Sequence, residues 1–112
     1  MMGSELVFKA WDYNAKKMIG PFTMWDIVLG DKANELHEEC FFLMFTGLRD
    51  KNDAMIFEGD ILHQNNYSDW VVVWHECGFH ICNVCNPETF FTLVKSDREI
   101  IGNIYESADL LK

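Results

Sequence analysis

The sequence predicts a mostly β fold, a small barrel or sandwich preceded by a strand-rich extension. Three observations point there. Short apolar runs recur along the chain with turn signals between them. One of them, Trp-Val-Val-Val-Trp-His over 70–75, is almost wholly β-branched and aromatic, the composition a pleated surface packs best. Finally, 112 residues with 49% apolar content can bury roughly 65% of the surface of the unfolded chain, so a core forms without metal or disulfide staples.

The N-terminus, Met1 to Ser4, reads as a loose start. Leu6, Phe8 and Ala10 alternate with polar positions, so Glu5 to Trp11 is expected as a strand. The Asp12–Lys16 stretch turns the chain and Lys17 to Ile19 returns it, with Gly20-Pro21 expected to break the strand. Phe22 to Leu29 is open between two readings. Thr23 could cap a short helix carrying Met24, Ile27 and Val28 and ended by Gly30, or the stretch could be a strand. Asp31 to Glu39 is acidic and reads as surface loop. Cys40 to Phe45 is a continuous apolar run, expected as a buried strand. The boundary between the extension (1–39) and the barrel (40–112) falls at Glu39.

Beyond it, Thr46-Gly47 signals a turn. Arg49 to Asp53 is a charged loop in which Asn52-Asp53 tolerates a left-handed backbone. Met55 to Phe57 and Ile61 to His63 are short strands around the Glu58-Gly59-Asp60 turn, where glycine permits a sharp bend. After a polar loop at 64–69, the 70–75 strand turns at Glu76-Cys77-Gly78 and returns over Phe79 to Val84 as a hairpin. Asn86-Pro87 breaks it, Glu88 to Leu93 reads as a further strand, and Ser96-Asp97-Arg98 is a turn. A last strand, Glu99 to Tyr105, carries Gly102 as a bulge or close approach. Ser107 then caps a final helical turn holding Leu110 and Leu111.

Thr46-Gly47-Leu48-Arg49-Asp50-Lys51-Asn52, followed by Ile56-Phe57-Glu58-Gly59-Asp60-Ile61, resembles the signature of the YopX-like family of small phage and prophage proteins. Phe8-Lys9-Ala10-Trp11-Asp12 with Lys17-Met18-Ile19 is similar to the family's opening, and Ile101 to Glu106 with Leu110-Leu111 to its ending. Met44 stands where the family usually has Gln, and Asp53 where it usually has Gly. The resemblance implies a C-terminal small barrel of the SH3 type and a phage origin. It carries no catalytic residues with it, because the family's biochemical function is not established.

The charge balance narrows the partners. Eighteen acidic residues against nine basic ones give a net charge of −9 and a pI near 4.7. Nucleic-acid backbones are bound by neutralising phosphates with Lys and Arg, which here are scattered, with Lys16-Lys17 the only adjacent pair. An anionic membrane surface is disfavoured for the same reason, whereas a basic protein partner is favoured. The sequence has no apolar run of the roughly 18–20 residues that span a bilayer and no basic region leading into an apolar one at its start. A cytoplasmic location, in a bacterial host, is the expectation, with reduced thiols.

Candidate chemistry centres on the second hairpin. His75, Cys77, His80, Cys82 and Cys85 are five soft ligands within eleven residues, and Cys82-Asn83-Val84-Cys85 has zinc-knuckle spacing. Cys40, His37 and His63 offer no matching second pair, however. Strand alternation also sends His80 and Cys82 to one face and Cys77 and Cys85 to the other. Free cysteines and no metal are therefore expected. A cysteine nucleophile with a histidine base is the enzyme version of the cluster, but no orienting third group or oxyanion donor stands out. Asp50, Glu58 and Asp60 are expected to cap and solvate turns rather than act as acids or bases. Trp70 and Trp74 share a strand face and are the binding candidates, against core packing around Val72. Trp11 and Trp25 are expected in core or interface.

The reading that results is a non-enzymatic, cofactor-free binding module for a host or phage protein. Two alternatives stand beside it: a small metal- or thiol-dependent enzyme using the His75–Cys85 hairpin, and a structural subunit of a homo-oligomer, for which 14% aromatic content supplies interface material.

Overall fold

The computed structural model describes residues 6–23, 25–26, 40–64, 68–93 and 97–107. Nine strands run through these residues: β1 (Val7–Asp12), β2 (Lys17–Thr23), β3 (Cys40–Arg49), β4 (Met55–Phe57), β5 (Asp60–His63), β6 (Trp70–His75), β7 (Gly78–Asn83), β8 (Phe90–Thr92) and β9 (Glu99–Asn103). They form two antiparallel sheets, of order β2-β1-β3-β4 and β8-β7-β6-β5-β9. Neither order closes on itself among the described residues, so the mostly β class stands while barrel closure is not seen. The chain divides into two compact units, Met1–Phe45 and Thr46–Lys112, and the division falls inside β3. The loop expected at Asp31 to Glu39, His37, the helical residues Met24, Ile27 and Val28, Asn65-Asn66, Ser96 and the Leu110-Leu111 turn lie outside the described residues.

In the first unit β1 is central. It pairs with β2 and β3, and Ala10 sits opposite both Ile19 and Phe42. Phe8, Ala10, Ile19 and Phe22 form the core, with Cys40 and Met44 packed against it. The hairpin turn expected after β1 is present. Asp12 accepts the N–H of Asn14 and Ala15 on one carboxylate oxygen at 2.9 and 3.0 Å, which fixes the bend.

Two expectations in this unit are corrected. Gly20-Pro21 does not end the strand: β2 continues through a cis Gly20-Pro21 bond to Thr23. Pro21 lies in an edge strand, where a missing N–H is tolerated, and the register shift between Phe8 and Ala10 absorbs the irregularity. Gly20 has φ +114°, and a Cβ there would lie 2.9 Å from the Phe22 ring. Cys40 to Phe45 is a strand but not a buried one, because Phe41 and Phe42 are exposed and only Leu43 is fully inside. The two rings still find aromatic neighbours, Phe41 on Tyr13 at 4.9 Å and Phe42 on Phe8 and Phe22. Thr23 and Asp26 complete a capping box, Thr23 N–H donating to Asp26 at 2.7 Å and Asp26 N–H to the Thr23 hydroxyl at 3.4 Å.

In the second unit the expected turn at Thr46-Gly47 is instead a bend within β3. Gly47 takes φ +90° while the strand runs on to Arg49. The Thr46 hydroxyl donates to the Ile56 carbonyl at 2.9 Å, tying β3 to β4. The charged loop turns where expected, with Asp53 at φ +68°. Gly59, at φ +91°, supplies the second turn, and its carbonyl accepts the N–H of Ile104 at 2.9 Å. The core is Ile56, Leu62, Trp70, Val72, Ile81 and Leu93, with Leu48, Phe79 and Ile100 against it. The bulge expected at Gly102 is present, since Gly102 pairs with Ile61 while the next pair is Leu62 with Ile100, leaving Ile101 as the extra residue.

The β6–β7 hairpin has in-register pairing from Trp70–Asn83 to His75–Gly78. Its two-residue tip, Glu76-Cys77, is left-handed at both positions, φ +49° and +63°. That is the geometry matching strand twist, but it suits Asn-Gly rather than Glu-Cys. Replacing the pair with Asn-Gly (Glu76→Asn with Cys77→Gly) is expected to stabilise the protein by about 1–2 kcal/mol. A rise in the urea unfolding midpoint at unchanged slope checks this.

Candidate functional site

The second sheet has two faces of different character. Register places Trp70, Val72 and Trp74 of β6 with Phe79 and Ile81 of β7 and Phe91 of β8 on one face. Val71, Val73 and His75 share the other with His80 and Cys82 of β7 and Phe90 and Thr92 of β8. The first face contributes to the core. The second begins on fully buried Ile61, opposite Val71, and opens outward through half-buried Val71, Val73, His80 and Cys82 to exposed Phe90 and Thr92. No Asp, Glu, Lys or Arg stands on this face in β6, β7 or β8. In a chain of net charge −9 that is an unusual concentration of uncharged, half-exposed surface. An apolar groove lined by Val71, Val73, Cys82, Asn83, Val84 and Pro87 continues it.

The two tryptophans separate. Trp70 is buried, its ring 5.4 Å from Phe91 and under the Arg98 guanidinium at 5.8 Å. Trp74 is 55% exposed at the hairpin end and packs edge-on against Phe79 at 5.0 Å. Trp11 is in the core, while Trp25 is exposed.

The His–Cys cluster does not converge. Cys77 sits in the turn and Cys85 beyond the strand end, both exposed, so strand alternation places neither. Cys82 donates to the Pro87 carbonyl at 3.1 Å. The Asn83 side chain accepts the N–H of Cys85 and Asn86 at 2.8 and 3.0 Å, so the knuckle-spaced loop is held by an Asn-capped turn. Among the described residues no group of three or more His, Cys, Asp or Glu is placed to hold a metal ion. His63 instead pairs with Asp69 at 2.7 Å.

The acidic residues of the turns are occupied structurally. Asp60 accepts the N–H of Phe57 at 2.7 Å. Asp50 is buried and accepts three backbone N–H groups, from Asn52 at 2.8 Å, Ala54 at 2.9 Å and Ile100 at 3.0 Å. Loss of solvent pushes its carboxyl up. The three N–H donors of Ile100, Ala54 and Asn52, together with the Lys51 charge, push it further down and hold it below its ordinary 3.8. A polar concavity beside it is lined by Arg49, Lys51, Asp53 and Asp97 among others. Arg49 donates to the Asp53 carbonyl at 3.0 Å and Lys51 stands 3.7 Å from Glu99, so both of its cations already have partners.

Val71, Val73 and Phe90 are the surface residues that sequence reasoning passed over. The signal was present, since a strand apolar on both faces needs two covers and the core supplies one.

A family model described as YopX protein matches residues 7–112. Among curated proteins, none matches. The crystal structure of protein EF1440 from Enterococcus faecalis is similar, with a TM-score of 0.62 and 22% identity, over 96% of this chain and 98% of that one. At that identity the likeness speaks for the fold alone. Among the described residues, no helix is long and apolar enough to cross a membrane.

Proposed function

This chain belongs to the YopX family, and from that premise we propose that it is a non-enzymatic protein-binding module of phage or prophage origin, acting in the bacterial cytoplasm. The observation that carries the reading is the uncharged outer face of β6, β7 and β8, which widens from buried Ile61 to exposed Phe90 at the edge of the sheet. Interface centres are depleted of charge, as this face is, and its outer edge carries the exposed ring of Phe90. The partner's chemistry follows from the rest of the surface. A net charge of −9 around an apolar centre favours a host or phage protein with an apolar patch rimmed by Lys and Arg, and it opposes two copies of this chain meeting face to face. Phosphate backbones are disfavoured by the same charge. The SH3-like barrel is the finer architecture proposed for the second unit, since such barrels present aromatic surfaces to peptides.

Affinity capture from phage-infected or prophage-induced cells, with a nuclease-treated control, tests this. A specific protein retained after nuclease is the expected result. Loss of every partner on nuclease treatment would assign the surface to nucleic acid. An empty capture together with a dimeric mass by light scattering would assign it to self-assembly.

A further inference from the structure

His75 and His80 lie diagonally across the β6–β7 hairpin on its uncharged face, with their ring centres 5.7 Å apart and their planes at 87°. The Nδ1 of His80 is 3.2 Å from the Gly78 carbonyl, a contact in which the nitrogen donates and which leaves Nε2 as the lone-pair atom. A backbone acceptor on one ring nitrogen is the arrangement that orients metal-binding imidazoles. Phe90 stacks on the His75 ring at 4.7 Å and 12°, which restrains that ring as well. The Glu76 carboxylate stands 3.7 Å from His75 Nε2, so negative charge borders that ring. With metal–nitrogen bonds of about 2.0–2.1 Å and a ring centre about 1.2 Å behind its nitrogen, two imidazoles on one ion have centres roughly 5–6.5 Å apart. The observed spacing falls inside that window.

We propose that His75 and His80 form a two-imidazole site for a divalent transition-metal ion, Zn²⁺, Ni²⁺ or Cu²⁺, at the open end of the β6–β7 hairpin. The site differs from a zinc knuckle because neither Cys82 nor Cys85 belongs to it, and the remaining coordination positions are open to water or to a side chain from outside. Two ligands make an exchangeable site rather than a structural one, in keeping with a fold whose core is complete without metal. Imidazole ligands select these ions over Mg²⁺ and Ca²⁺, which prefer oxygen. The inference is independent of the protein-binding reading, because it concerns the purified chain alone.

Calorimetric titration of the untagged, fully reduced protein with ZnCl₂, NiCl₂ and CuCl₂, and with MgCl₂ as control, tests it. The expected result is saturable binding near one ion per chain for the transition metals and none for Mg²⁺. Affinity should fall at least tenfold in both His75→Gln and His80→Gln, and stay within about twofold in Cys77→Ser and Cys82→Ser. Both histidines are outside the core, so circular dichroism of the two Gln variants should match the parent. No saturable binding, binding unchanged in His80→Gln, or binding lost on either Cys→Ser replacement would overturn the site.

Discussion

Asp50→Ala is expected to cost about 3 kcal/mol of stability. The residue is buried, and its two carboxylate oxygens serve three backbone donors on two segments of the chain. Removing it leaves the N–H groups of Asn52, Ala54 and Ile100 without their acceptor at once. Ile100 lies in β9, at the edge of the second sheet, so the loss loosens both the charged loop and the strand that closes that side. Asp50→Asn separates the parts. Its single oxygen can keep the Asn52 and Ala54 donors, but its amide would face the Ile100 N–H, so about half the cost should remain. The sign of the pH dependence follows from the lowered carboxyl. A group held below 3.8 in the fold contributes stability that is fully present above that value and is lost as pH falls through the folded value. Urea unfolding midpoints for the parent and Asp50→Asn should therefore converge in strong acid.

Trp70→Ala and Trp74→Ala should differ by about 3 kcal/mol although the two residues share a strand and a face. Trp70 fills the second core beside Val72 and Ile81, and truncating a buried tryptophan there costs about 3–5 kcal/mol in lost burial and cavity formation. Trp74 is more than half exposed, and its edge-on contact with Phe79 is worth about 1 kcal/mol. Denaturant midpoints of the two variants measure the gap. Near-equal losses would mean that the hairpin end is packed as tightly as the core.

Much of this was legible in the sequence where a local rule dominates. Asp12 and Asn52-Asp53 announced turns because their side chains hydrogen-bond to nearby backbone or tolerate a left-handed conformation, and both turns form. The Trp70–His75 strand and its hairpin followed from composition and from the turn expected at Glu76-Cys77-Gly78, of which Gly78 already pairs as the first residue of β7. The misses share a different cause. Gly20-Pro21 reads as a break by local propensity, yet pairing with β1 on one side carries the strand through it. Thr46-Gly47 reads as a turn, yet β3 bends there and continues. The apolar run at Cys40–Phe45 reads as buried, yet Phe41 and Phe42, on opposite faces of β3, are both exposed. In each, the outcome is set by how the strand pairs and packs with its neighbours, which the propensities of the residues themselves do not encode.

The site was less legible for the same reason. Five possible ligands within eleven residues look like a metal cluster on paper. Strand register then sends His75, His80 and Cys82 to one face, while Cys77 and Cys85 fall in turns. What register assembles is a pair of imidazoles on an apolar sheet face, and the tryptophans that drew attention in the sequence lie on the opposite face.

The central claim, that the uncharged outer face of β6, β7 and β8 is where a protein docks, is tested most directly by a single charge placed in its middle. Val73 is half-buried on that face, opposite His80, and outside the core. Affinity capture with Val73→Asp should lose the retained partner, while Val73→Thr, close to valine in shape and uncharged, should keep it, with both variants matching the parent by circular dichroism. Full retention of the same partner by a folded Val73→Asp protein would contradict the account and move the binding surface elsewhere.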